Sequence, residues 1–197
     1  MSRFGPLVQL HSSAYVHDSA VIYGQVTLAE GVSLWPNVVI RAEAREVSIG
    51  RCSNLQDFVM IHVGEASGTW IGAYCSIAHR ATVHGARIGD QCLIGINATL
   101  MDGVELGENS IVAGHCIVPR NGRIAANSVV AGIPGKVIAS RNNWVANRFN
   151  ALLYQRNAEA YRRDEHRAWD DSSEPWQRQT LATLKAEFAR MTAGNGG

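Results

Sequence analysis

The 197-residue chain has no excess of charge of either sign: eighteen basic residues against seventeen acidic ones leave a net charge of +1. Without a basic footprint to neutralise phosphates, nucleic acid and anionic membrane surfaces are excluded as first partners. No apolar run approaches the length of a bilayer span, which excludes a transmembrane helix. The first fourteen residues lack the charged start and apolar stretch of a secretory signal, so a cytoplasmic location is the expectation. The four cysteines, Cys52, Cys75, Cys92 and Cys116, contain no Cys-x-x-Cys pair. That argues against a disulfide framework or a cysteine metal cluster and assigns them to packing.

What the sequence does have is a repeat. An aliphatic residue recurs at every sixth position from Val16 through Ile22, Leu28 and Leu34 to Ile40. The series resumes at Ile49, Leu55 and Ile61, again at Ile71, Ile77 and Val83, and runs on from Ile88 to Val130. Four places after many of these aliphatics stands a small or β-branched residue, among them Val38, Val59, Cys75, Ala81, Cys92 and Ala98. Two interior positions in six are too few for an amphipathic helix. A β-sandwich would alternate at period two without a phase shared across so many segments. The repeating unit is therefore a strand and a turn. Glycine follows the aliphatic at Ile49, Ile71, Ile88, Ile94 and Leu106, which points to tight corners there.

This pattern resembles the hexapeptide repeat of left-handed parallel β-helix proteins. The resemblance implies a mainly β fold in which three hexads make one triangular, left-handed coil. Residues 10–140 are expected to form this domain, with GIPGKVI, ending at Ile138, as its closing motif, and residues 141–192 a C-terminal α-helical appendage. In the appendage, Asn142 or Asn143 can cap a helix with Val145, Phe149, Leu152 and Leu153 on one side. Pro175 can open a second helix, with Leu181, Leu184, Phe188 and Met191 at spacings of three and four. The first helix is expected to lie along the coil.

Three hexads per coil convert sequence into stacked columns. The hexads at Ile40, Ile61 and Val83 fall above one another, and each is followed by a polar residue: Arg41, His62 and His84. The two histidines therefore project side by side. The hexads at Leu55 and Ile77 stack on a different face and bring Gln56, Asp57, Ala78 and His79 into register. One chain does not bring His79 to His62 and His84 easily, but a threefold assembly does, because one face of a subunit meets another face of its neighbour. Three imidazoles and an open fourth position are the ligand set of a catalytic zinc site. Fe2+ or Co2+ also suits imidazole, and such a site lowers the pKa of bound water to about 7. His11, His17, His115 and His166 read as surface residues, and Trp144 and Trp176 as packing.

The residues RAEA at Arg41, NLQDFVMIH ending at His62 and IAHRATVHG carrying His79 and His84 resemble the signature of the γ-class carbonic anhydrases. The resemblance implies a homotrimer that binds zinc on His62, His79 and His84 between subunits. It further implies an inter-subunit ion pair of Arg41 with Asp57, and Gln56 hydrogen-bonded near the reacting water or bicarbonate. Ala42 and Glu43 stand where the family has Gly and Asp, and Ala78 and Arg80 where it has glycines. Glu65, in the inserted segment VGEASGTW, is the sequence's candidate for proton transfer. The activity implied is reversible hydration of CO2 to bicarbonate. The alternatives are acyl-CoA thioester hydrolysis at the same metal site, CoA-dependent acyl transfer, and an inactive scaffold.

Overall fold

The computed structural model describes residues 4–193. Short strands alternate with turns from Val8 to Ser140, followed by two helices, α1 (Trp144–Tyr161) and α2 (Glu174–Ala193). The strands pair in parallel by the coil register: Ile40 with Ile61 and Ile61 with Val83 on face one, Ile49 with Ile71 and Ile71 with Ile88 on face two. Leu34 with Leu55, Leu55 with Ile77 and Ile77 with Ile94 form face three. The result is a parallel β-helix. Its inside is an aliphatic ladder in which Leu34, Ile40, Leu55, Ile61, Ile77 and Val83 are fully buried. The small slots Val38, Val59, Cys75, Ala81, Cys92 and Ala98 are buried as completely. All four cysteines are free and buried, and burial pushes the Cys116 thiol up, away from the reactive thiolate.

The corners are not made by the glycines that follow the aliphatics. The left-handed conformation falls two residues later, at Asn37, Phe58, Arg80, Asn97 and His115 along one edge. Such backbone costs energy for a non-glycine residue. A ladder of amides holds it in place: Phe58 donates to the Pro36 carbonyl at 3.0 Å, Arg80 to Asp57 at 3.0 Å and Asn97 to His79 at 3.1 Å. The glycines serve close approach instead. A Cβ on Gly95 would lie 2.5 Å from the backbone nitrogen of Gly114 in the next coil. The first interruption of the repeat is likewise no loop. Residues Val39–Ile49 form one continuous strand, which pairs with Met60–His62 at one end and Thr69–Ile71 at the other and so carries the chain from face one to face two.

After Ala131 the chain reverses, and Lys136–Ser140 runs antiparallel to Ser128–Ala131. This strand covers an edge that would otherwise present unpaired backbone. The Trp144 amide then donates to Asn142 Oδ1 at 2.9 Å, and α1 starts after Asn143, whose side chain makes no cap hydrogen bond. The buried side of α1 is Trp144, Asn147, Ala151, Tyr154 and Ala158. Val145, Phe149, Leu152 and Leu153 are only half-buried, which corrects the apolar side expected from sequence. The physical reason is the surface that α1 covers on its own chain, the strands Ser33–Leu34, Asn54–Leu55 and Ser76–Ile77 together with the neighbouring turns, whose carbonyls accept from Asn143 and Asn147. Ala151 fits against Cys52 and Tyr74. Asn147 Nδ2 donates to the Gln91 carbonyl at 2.8 Å. Helix α2 packs on the outside of α1 through Trp144 on Phe188 and Phe149 on Trp176. Of its expected apolar stripe only Leu184 is fully buried, and Met191 is exposed. Among the described residues no helix is long and apolar enough to cross a membrane.

Candidate metal centre

His62 and His84 end neighbouring strands, Met60–His62 and Thr82–His84, and are direct partners in the register. Parallel neighbours lie about 4.8 Å apart, so the two imidazoles meet: His62 Nδ1 is 2.9 Å from His84 Nε2. The other nitrogens are held as well. His84 Nδ1 is 2.9 Å from Asp102 Oδ1, and His62 Nε2 is 3.2 Å from Arg41 Nη2 and 3.3 Å from Glu43 Oε2. A carboxylate on one ring nitrogen fixes the tautomer and presents the lone pair of the other. Asp102 is a site residue that the sequence reading missed. A signal for it was available, because Leu100 stacks on Val83 and places Asp102 one coil beyond His84.

His79 stands at the corner between Ser76–Ile77 and Thr82–His84, before face one rather than at its end. Its Nδ1 is 3.0 Å from Asp57 Oδ2, the same carboxylate device, which leaves Nε2 as the nitrogen available to a ligand. Among the described residues of the single chain, no three His, Cys, Asp or Glu side chains converge as a metal-ligating group. The chain thus carries a pair of histidines on one side and a single one on another.

The remaining sequence candidates are spread around these two half-sites. Gln56 is buried beside Asp57, and its amide donates to Asn54 Oδ1 at 3.1 Å. Within the chain Arg41 pairs with Glu43 at 2.8 Å and Asp57 with His79. A hydrogen bond from its own backbone amide, and then the Arg41 guanidinium, hold the Glu43 carboxyl below the usual carboxylate range. Glu65 is exposed on the segment after His62. Beside His79 opens a cleft of about 350 Å³, bounded by Trp35, Asp57, Tyr154, Tyr161, His166 and Trp169 among others. The last two come from the segment that joins the helices, in which sequence assigned His166 to the surface. Burial pushes the Tyr154 hydroxyl up to about 12, so this phenol stays neutral across the ordinary pH range.

The donor set fits a divalent cation. Bonds of about 2.0–2.1 Å in a tetrahedral site separate two ligating imidazole nitrogens by about 3.3 Å. The facing nitrogens of His62 and His84, 2.9 Å apart, are within a few tenths of an ångström of that spacing.

Known proteins bear on this arrangement. Residues 85–120 match the family model of the bacterial transferase hexapeptide (six repeats). A probable carbonic anhydrase of Methanocaldococcus jannaschii is 40% identical over 123 residues, which cover 62% of this chain and 77% of that protein. The chain belongs to the γ-carbonic anhydrase-like family of hexapeptide-repeat proteins. Another member of this family, the mitochondrial gamma carbonic anhydrase 2 of Arabidopsis thaliana, is 34% identical over 137 residues, 66% of this chain and 49% of that relative. The chain thus spans about half the length of the plant protein. A crystal structure described as a putative acetyltransferase of Bacillus cereus superposes with a TM-score of 0.77 at 26% identity, covering 79% of this chain and 92% of that one. Family membership carries with it the left-handed coil that the resemblance implied.

Proposed function

We propose that the protein is a metal-dependent carbonic anhydrase that hydrates CO2 reversibly to bicarbonate, working as a homotrimer with a site at each subunit interface. The observation that carries this reading is the carboxylate-held division of the histidines. His62 and His84 face each other with Asp102 behind, while His79 is held by Asp57 on another edge. Rotation by a threefold axis brings the single histidine of one subunit to the pair of the next. His62 and His84 of one chain and His79 of its neighbour would hold the cation, zinc by default and iron or cobalt as the other fits. When bound, the cation supplies the Lewis acidity that makes water a nucleophile at neutral pH.

The chain's own residues do the rest. Asp102 and Asp57 fix the ring tautomers so that ligating lone pairs point at one place. Gln56, an amide with both donor and acceptor, orients water or bicarbonate beside the site. Arg41 crosses to the neighbouring Asp57 and sets the register of the two subunits. Trp35 and Tyr154 give the cleft an apolar wall on the Asp57–His79 side.

Acyl transfer to or from CoA is the second reading, favoured by the likeness to the putative acetyltransferase at 26% identity. Thioester hydrolysis would use the same histidines as CO2 hydration. Metal content and the rate of CO2 hydration, measured on protein purified without a chelating tag, test the leading reading. Stoichiometric metal with hydration above buffer supports it. Stoichiometric metal with no hydration, and free thiol released from acyl-CoA, transfers the site to thioester hydrolysis.

A further inference from the structure

The appendage brings one more titratable side chain to the coil. His166 bounds the 350 Å³ cleft that His79 also bounds. It bounds as well a wider depression of about 730 Å³ that opens between α1 and the start of α2. One exposed imidazole therefore faces both the candidate site and bulk solvent. Its ring rests on Tyr161, with centroids 4.7 Å apart, which gives a loop residue a defined place. The ionisable groups that bound its surroundings are Asp57 and His79 from the coil corner, Tyr154 and Tyr161 of α1, and Arg167 and Asp170 from its own segment. On the depression side they are Arg156 and Glu159 of α1 and the Arg163–Glu165 pair at 2.9 Å.

We propose that His166 is the proton relay of this site. The inference rests on the hydration reading. Adding water to CO2 forms one C–O bond and leaves bicarbonate and one proton per turnover, and that proton has to reach solvent. An imidazole accepts a proton at one ring nitrogen and releases one from the other, and as a side-chain type it does so near neutral pH. His79 is unsuited to the task, because Asp57 holds its Nδ1 and its other nitrogen is the ligand. Glu65, the sequence candidate, follows His62 on the side of the histidine pair, whereas His166 bounds the cleft on the His79 side.

The test uses the full chain, assembled and metal-loaded. His166→Ala is compared with the parent for CO2 hydration in dilute and in concentrated buffer. The expected result is a kcat about tenfold lower or worse in dilute buffer, an unchanged kcat/KM, and recovery when imidazole is added. An unchanged kcat overturns the proposal, as does a joint fall of kcat and kcat/KM that imidazole does not repair. Loss of kcat in Glu65→Gln with His166→Ala at parental rate also overturns it. A second readout needs no turnover. In the cobalt-loaded protein the His166 ring protons are broadened by the paramagnetic ion, and in His79→Ala they are sharp. Sharp signals in protein that holds cobalt overturn the placement of His166. A parent protein that binds metal but hydrates no CO2 refutes the hydration reading instead, with the broadening still reporting on His166.

Discussion

The coil and the appendage bury their side chains by different rules. In the coil the buried residues are aliphatic and strictly periodic, because each hexad packs against copies of itself, and Leu55, Ile61 and Ile77 have no exposure. In α1 the buried residues include Asn147, Ala151 and Tyr154, because the helix docks on turns whose carbonyls need donors and whose shape needs small residues. A repeat writes its own pattern, whereas a docked helix takes its pattern from its host.

That contrast is open to direct attack. The largest expected effect is in the ladder: Leu55→Ala removes a fully buried side chain and costs about 2–5 kcal/mol, read as a lowered midpoint in urea. A cost under about 1 kcal/mol, as for an exposed position, would show that the coil tolerates voids. Next is Asp102→Asn, which keeps the size and loses the charge behind His84. Metal affinity should fall about 10- to 100-fold with the urea midpoint nearly unmoved, as measured by competition with a chelator.

In the appendage, Asn147→Ala leaves the Gln91 carbonyl without its donor and should cost about 1–2 kcal/mol. The loosened helix should also expose Cys52 to a thiol reagent. Val145→Ala, on the side that sequence favoured, should cost less than Asn147→Ala. The reverse order would restore the apolar-stripe reading of α1.

The smallest effect is on pH. Burial raises Tyr154 from the usual value near 10 to about 12. A raised value favours the neutral phenol in the folded chain, so its share of stability is complete below pH 10 and is lost as pH rises through about 12. Denaturation midpoints should therefore drop over that alkaline window in the parent and drop less in Tyr154→Phe.

The same contrast explains what could be read from the sequence. The coil register, and with it the pairing of His62 with His84 and of Asp57 with His79, follows from counting sixes, since parallel stacking at fixed period leaves no freedom. Asp102 escaped because it lies on the coil beyond the histidine pair, where no further histidine marks the column, and its carboxylate reaches back to His84. The continuous strand Val39–Ile49 was hidden by a gap in the period that looks like any insertion. The left-handed corners at Phe58 and Arg80 carry no turn-forming residue, since the amide ladder rather than the side chain holds them. His166 was illegible for the reason the buried side of α1 was: its place is set by the surface on which the appendage docks.

The shared site is tested most directly by mixing two inactive variants, His79→Ala and the double variant His62→Ala with His84→Ala. Each alone should hold no stoichiometric metal. Unfolded together and reassembled, they should regain metal at one interface of each mixed trimer, where an intact pair meets an intact His79. Mixed trimers that stay empty, or a His79→Ala protein that retains its full metal, would contradict a site built from two subunits.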